Sequence, residues 1–216
     1  MPSSPVVSII LCTYNRAQLL PNAVRSVLLQ STTDWELVII DDGSSDNTRN
    51  IVHQFQIKDK RIKYHFQENK GLAEARNAGL RCSNGHFICF VDSDDELAPD
   101  HLKKRLDYLK KNAEVDFLHG GMELIGPVEK QYVVDLTDGT KKIHLTKCHV
   151  GGTFFFRRKV LLKVRGFRTI PFGEDFDFFR RAEKHFVIRK VRYPTYKYHL
   201  ESENRLCDIY TEMLAQ

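Results

Sequence analysis

His86-Phe87-Ile88-Cys89-Phe90-Val91-Asp92-Ser93-Asp94-Asp95 is the stretch that decides the fold. A mostly apolar run reads as a strand, and the abrupt change to an acidic run marks its exit at the carboxyl edge of a sheet. Ligands of open α/β sheets gather at that edge. Residues two apart on an extended segment point the same way, so Asp92 and Asp94 can converge on one hard cation, which prefers oxygen ligands. An acidic loop that merely caps the helix opened by Pro99 fits the same residues.

Working back from this strand, Asn84-Gly85 is a turn signal and residues 72–82 have helical spacing. Further strands are predicted over 6–11, 36–40 and 62–66. Between them lie a helix on Leu19, Leu20, Ala23, Val24, Val27 and Leu28, with Pro21 in its first turn, and one through Ile51, Val52 and Phe55 with Asp46 as its N-cap. This alternation predicts an α/β fold, a Rossmann-like open, mostly parallel sheet flanked by helices.

Working forward, the helix opened by Pro99 turns Leu102, Leu106 and Leu109 inward. Beyond about residue 112 the pattern becomes mixed, forming a smaller region. Strands are expected over 115–119, 153–156 and 187–191, a turn at Asp138-Gly139, and helices over 158–164 and 174–185. A final amphipathic helix uses Leu206, Ile209, Tyr210 and Met213. We read residues 1–216 as one domain, with a regular half over 1–111 and a mixed half over 112–216.

Composition sets the outer bounds. A chain of 216 residues with 42% hydrophobic and 28% charged residues is an ordinary globular protein. No apolar run approaches the roughly 18 residues that cross a bilayer, and the first residues do not resemble a signal peptide, so a cytoplasmic protein is expected. Cys12, Cys82, Cys89, Cys148 and Cys207 are scattered and odd in number, which predicts reduced thiols. The net charge of +5 is uneven: residues 157–192 carry 12 Lys and Arg against 4 Asp and Glu. Such a stretch suits an anionic membrane surface, hence peripheral membrane association, or an anionic acceptor; it is also what solvated helix faces look like.

Three further clusters can carry chemistry. Asp41-Asp42-Gly43-Ser44-Ser45-Asp46 follows a buried strand, where Asp42 can accept from a base N–H or a ribose hydroxyl, or simply belong to a strand-to-helix turn. Cys12-Thr13-Tyr14-Asn15-Arg16 offers an aromatic ring for stacking on a nucleobase, although Tyr14 can equally be a packing residue. Gly151-Gly152-Thr153 precedes three phenylalanines and lets backbone approach a ligand closely, or marks a bend in a strand.

Together, residues 7–15, Asp41-Asp42-Gly43-Ser44, Asn69-Lys70-Gly71, Ala75-Arg76-Asn77-Ala78-Gly79 and Asp92-Ser93-Asp94-Asp95 resemble family 2 glycosyltransferases of the GT-A fold, strongly over about the first 110 residues. The resemblance implies an inverting transfer from a nucleotide-diphosphate sugar, with UDP as the expected nucleotide, to a carbohydrate or lipid-linked acceptor. It places Cys12, Tyr14 and Asp42 at the base, Arg76 near the nucleotide, Asp92 at the ribose and phosphates, and Asp94 on a Mg or Mn ion. Within Gly173-Glu174-Asp175-Phe176-Asp177 it implies Asp175 as general base, with Glu174 the runner-up. His199 corresponds to a late histidine near the diphosphate or metal.

Rival readings are a non-catalytic nucleotide-sugar-binding partner of an active transferase, and a nucleotidyltransferase. A dehydrogenase is disfavoured because no G-x-G-x-x-G is present, and nucleic acid because the basic stretch carries no recognised binding motif.

Overall fold

The computed structural model describes residues 4–202 and 205–214. Its first half is the predicted alternation: β1 (Val7–Thr13), α1 (Leu20–Leu28), β2 (Trp35–Asp41), α2 (Thr48–Lys58), β3 (Ile62–Phe66), α3 (Leu72–Cys82) and β4 (Phe87–Phe90). Every residue of β2 is buried, which explains why its sequence runs apolar rather than alternating. The second half continues with β5 (Glu96–Leu97), α4 (His101–Lys111), β6 (Phe117–Ile125), β7 (Tyr132–Asp135), β8 (Asp138–His144), β9 (Phe155–Arg157), α5 (Arg158–Val164), α6 (Glu174–Ala182), β10 (Ile188–His199) and α7 (Leu206–Leu214).

Eight strands form one sheet in the order β3-β2-β1-β4-β9-β6-β10-β5. The β1–β2, β2–β3, β1–β4 and β6–β10 pairs are parallel and the other three are antiparallel. β7 and β8 make a separate antiparallel hairpin. Chain order reverses across β1, with β2 on one side and β4 on the other, and this is the switch point at which an open α/β sheet leaves a crevice.

Alternate residues of β1 feed two cores. Ile9 and Leu11 pack with α1 and α4, while Ile10 packs on the other face with Phe90, Phe117, Phe156 and the apolar sides of α5 and α6. Gly79 in α3 lies so close to the sheet that a Cβ there would meet Ile10 Cγ2 at 2.4 Å. α3 therefore sits tightly on β1, and this close seat brings Arg76 of the same helix to the crevice.

Several boundaries differ from expectation. β10 runs on to His199 instead of stopping at Val191, because the register shift between Val191 and Tyr196 accommodates Pro194, a residue that cannot donate within a regular ladder. The hairpin turns at Leu136-Thr137 rather than Asp138-Gly139: Asp135 Oδ1 accepts from Thr137 N at 2.8 Å and from its hydroxyl at 2.7 Å, so reversal comes two residues earlier. Gly151–Thr153 is a 3-10 turn and the strand begins only at Phe155. α6 ends at Ala182 rather than His185. Asp46 precedes the α2 cap residue Asn47; its carboxylate still takes the Thr48 N–H at 3.0 Å and also the Ala17 N–H at 2.9 Å.

Two charged or apolar surfaces also depart from a simple pattern. Arg105 lies fully buried on the inward face of α4, donating to Thr195 Oγ1 at 2.6 Å and Gly120 O at 2.9 Å and so clamping β6 to β10. On α7, Leu206, Ile209 and Met213 remain exposed, whereas Tyr210 stacks on Phe172 with ring centroids 4.0 Å apart. Among the described residues no helix is long and apolar enough to cross a membrane.

Gly79→Ala tests the close seat of α3. Overpacking typically costs about 1–3 kcal/mol, and each kcal/mol shifts the melting temperature of a chain this size by about 2–4 °C. Gly79→Ala is expected to melt several degrees lower, whereas Gly139→Ala, whose Cβ meets nothing within 4 Å, melts with the parent protein in a thermal scan.

Candidate active site

A cavity of about 680 Å³ opens where β1, β2 and β4 end, and α6, the end of β10 and α7 close its other side. Cys12, Tyr14, Asp42, Arg76, Asp92, Asp94, Asp175 and His199 all line it. Residues separated by up to 187 positions thus meet in one cleft because parallel strands all discharge their loops at the same edge.

The loop after β1 is held by the loop after β2. Asn15, in a left-handed conformation (φ 51°), donates its N–H to Ser44 Oγ at 2.8 Å and accepts from Ser45 N at 2.8 Å. Tyr14 is left half exposed at the mouth, with its ring available for stacking. The Cys12 thiol is enclosed, and burial pushes its pKa up to about 12, so it lines the cleft as a neutral group. Asp42 is buried, and its carboxylate accepts from Gln67 Nε2 at 2.7 Å, Lys70 N at 2.9 Å and Gly71 N at 2.8 Å. It fixes the loop leading into α3 as well as lining the cavity.

Arg76 is neither a surface arginine nor paired with Glu74. It is 3% exposed, and its guanidinium donates to Asp92 Oδ1 at 3.2 Å and to Glu174 Oε1 at 2.8 Å, joining the β4 loop to the start of α6. Gly151 and Gly152 make room for this bridge. A Cβ at Gly151 would meet Arg76 Nη1 at 2.8 Å, and one at Gly152 would meet the Tyr196 hydroxyl at 2.1 Å and Asp92 Oδ2 at 2.9 Å. The close approach expected of these glycines is therefore to the chain's own side chains.

The acidic run divides its labour. Asp95 is 2% exposed and turns inward, accepting from the Tyr196 hydroxyl at 2.7 Å and from His199 N at 2.9 Å. It ties the loop to β10. Asp94 faces the cleft, where burial and the neighbouring Asp92 charge raise its pKa above the ordinary carboxylate range. His199 shares the cleft, but its Nε2 lies 3.0 Å from Glu96 Oε1, which engages that nitrogen within the protein. Among the described residues no cluster of three or more His, Cys, Asp or Glu side chains is arranged as a metal cage.

Across the cleft, Asp175 occupies the first turn of α6, after Gly173 in a left-handed conformation (φ 80°). One carboxylate oxygen accepts from Gly151 N at 2.9 Å and the other from Phe176 N at 2.7 Å. Burial, with the charge of Glu174 next, raises its pKa to about 6 against the lowering effect of Arg76. Glu174, the runner-up as base, is committed to Arg76.

Sequence reasoning missed Tyr196, which holds Asp95 from behind the cleft, and the apolar wall of Phe172, Leu206 and Ile209. The alternation Tyr196-Lys197-Tyr198-His199 was a usable strand signal for the first, because residues two apart share a face. No local signal brings α7 to the cleft.

Comparison with known proteins identifies the family and the fold. The family model described as "Glycosyl transferase family 2" matches residues 8–165. An uncharacterized glycosyltransferase of Haemophilus influenzae is 36% identical over 180 residues, covering 81% of this chain and 70% of its own. The Escherichia coli UDP-Glc:alpha-D-GlcNAc-diphosphoundecaprenol beta-1,3-glucosyltransferase WfgD is 41% identical over 121 residues, 56% of this chain and 47% of its own. The chain thus spans about half the length of some relatives it matches, 44% in another case. The crystal structure of Staphylococcus aureus TarS 1-349 in complex with UDP-GlcNAc superposes with a TM-score of 0.76 at 23% identity, covering 94% of this chain and 60% of that one. With a parallel sheet that reverses at β1, a cleft at that reversal and a family match over most of its length, this chain belongs to glycosyl transferase family 2 and has the GT-A fold.

Proposed function

We propose that this chain transfers a sugar from a nucleotide-diphosphate sugar, with UDP as the nucleotide, to an acceptor hydroxyl with inversion at the anomeric carbon. One observation carries the reading: a single cleft sets Asp92 and Asp94 on one wall and Asp175, with a pKa of about 6, on the other. Family membership supports the class of reaction. The UDP-glucose donor and lipid-linked acceptor named for WfgD, and the UDP-GlcNAc bound to TarS, support the choice of donor and an acceptor that is a carbohydrate or a lipid-linked sugar.

A sugar hydroxyl is a poor nucleophile until a carboxylate takes its proton during attack. We assign this role to Asp175. Its raised pKa makes it a stronger base than an ordinary carboxylate, and the two backbone N–H groups that hold it fix its direction. The acceptor oxygen then bonds to the anomeric carbon, the bond from that carbon to the diphosphate oxygen breaks, and the nucleoside diphosphate leaves with the electron pair. Attack and departure on opposite faces invert the configuration. Turnover is favoured over a purely binding role because such a base lies across the cleft from the acidic loop.

The residues present fit a divalent cation. Asp94 carries a raised pKa caused in part by Asp92, a negative potential that a dication relieves, and Mg is commonly held by one or two carboxylates together with substrate phosphates rather than by a full protein cage. We assign Asp94 as the ligand, with Asp92 beside it and His199 at the margin. When bound, Mg or Mn neutralises charge on the departing diphosphate. Tyr14 stacks on the base, a contact worth about 1–3 kcal/mol, while Cys12 and Asp42 line the base and ribose side and Arg76 holds Asp92 in place.

Asp94→Ala should keep the fold and lose metal-dependent donor binding. Titration calorimetry with UDP-sugar in the presence and absence of Mn checks this, and unchanged affinity with unchanged metal dependence removes Asp94 as the ligand.

Asp175→Asn should lower kcat by roughly 100-fold or more while donor affinity stays near normal. The parent enzyme's rate should rise tenfold per pH unit up to about pH 6 and then level, because only the ionised carboxylate accepts a proton. In the variant this limb is absent. For stability the sign is opposite: the fold favours protonated Asp175, a contribution complete below the ordinary aspartate pKa of 3.8 and lost as pH rises through about 6. Asp175→Asn therefore should not lower the melting temperature at pH 7. A variant with full turnover would shift the role to another group.

Product stereochemistry is the third check. An α-linked donor should give a β-linked product by NMR, and an α-linked product would exclude a single displacement.

A further inference from the structure

A second cavity, of about 480 Å³, lies where the C-terminal ends of α5 and α6 meet, at the opposite end of α6 from Asp175. Lys163, Arg165, Arg168, Arg181 and Lys184 line it, and no carboxylate does. Two of these cations are already committed. Arg181 donates to Val164 O at 2.6 Å and Gly166 O at 2.9 Å, and it shares the Asp177 carboxylate with Arg168, while Glu183 pairs with Arg180. The other three, Lys163, Arg165 and Lys184, are exposed and have no carboxylate partner among the described residues. Lysine and arginine in the last turn of a helix often serve only to satisfy its free carbonyls. Here Arg181 fills that role for α5, so Lys163 and Arg165 remain as uncompensated surface charge.

Beside these cations stands Leu162, 77% exposed on the outer face of α5. Lys159 precedes it by one turn and Arg165 follows it by another, and side chains at that spacing are neighbours on a helix surface. A single exposed leucine is ordinary by itself; its place among unpaired cations is what gives this face two features that one ligand can use. A free phosphate ion would use the charges and leave the leucine in water. An anionic bilayer uses both, because its surface potential attracts the cations while the interface accepts an apolar side chain.

We propose that the end of α5 and the end of α6 form a docking surface for an anionic phospholipid membrane, with Lys163, Arg165 and Lys184 at the headgroups and Leu162 inserted between them. α6 has nine residues and is about 13 Å long at 1.5 Å per residue, so the surface is separate from the donor cleft. Docking there leaves the cleft open, and the inference does not depend on which sugar or acceptor the cleft takes.

The test is flotation with vesicles of phosphatidylcholine alone and of equimolar phosphatidylcholine and phosphatidylglycerol. The protein should float with the anionic vesicles only, and release should follow added salt as the screening length falls from about 10 Å at 0.1 M to about 3 Å at 1 M. Each surface charge is worth about fivefold in partition, so the combined variant Lys163→Gln, Arg165→Gln, Lys184→Gln should bind on the order of 100-fold more weakly. Leu162→Ser should bind severalfold more weakly with the charges intact. Thermal melting and UDP binding of these variants should match the parent, which separates a failed surface from a failed fold or a failed donor site. Equal flotation of the triple variant, equal binding to neutral vesicles, or no effect of Leu162→Ser would overturn the proposal. So would release by inorganic phosphate beyond that caused by chloride at equal ionic strength, or binding of a single-stranded oligonucleotide through these residues without vesicle binding.

Discussion

The site depends on one buried cation. Arg76 lies between Asp92, which ends the first parallel half of the sheet, and Glu174, which begins the helix carrying the candidate base. Burial alone would lower its pKa, but Asp92, Glu174 and Asp175 more than reverse that, leaving it raised. Taking a guanidinium out of water costs several kcal/mol unless geometry and hydrogen bonding are good. Here one carboxylate comes from each half of the chain, and Phe90 and Phe167 present their rings at 5.8 and 5.4 Å. The bridge therefore sets the width of the cleft, and neither half can shift without leaving a buried charge unpaired.

Other parts of the fold support that bridge. Gly79 lets α3 sit on β1, Gly151 and Gly152 clear space around the guanidinium, and Asp95 with Tyr196 attaches the acidic loop to β10. Gly151 serves twice, since its N–H also holds Asp175. The acidic-loop wall and the Asp175 wall thus share a backbone turn, and Arg76 with Gly151 and Gly152 fixes their separation.

Legibility in the sequence followed the range of the interactions. β1, β2, β3, α3, α5 and the carboxyl-edge position of Asp42 and Asp92 could be read because continuous apolar runs, helical spacing and the abrupt change to acid are local. The full length of β10 could not, because Pro194 argues against a strand and only pairing with β6 overrides it. Buried Arg105 looks in sequence like any helix-surface arginine. Its partners, Thr195 and Gly120, lie 90 and 15 residues away. For the candidate site, the eight residues singled out do converge, yet their hydrogen bonds were not readable: the three protein donors on Asp42, the Glu96 partner of His199 and the choice between Asp175 and Glu174 all depend on neighbours distant in sequence.

That choice shows what the geometry adds. In sequence, Glu174 and Asp175 are adjacent acids at a helix start, where either is favoured by the dipole. In the fold, Glu174 accepts a charge-assisted hydrogen bond from Arg76 at 2.8 Å, which commits its carboxylate to the bridge. Asp175 is enclosed without a direct cation partner, and burial together with the charge of Glu174 raises its pKa. The acid with the buried arginine is the strut, and its neighbour is the one we propose as base. Asp92 and Asp94 divide in the same way, one bound to Arg76 and the other left facing the cleft with a raised pKa. A cleft with this excess of carboxylate would repel a bare diphosphate, and that repulsion is what supports the proposed binding of the donor together with a divalent cation at Asp94.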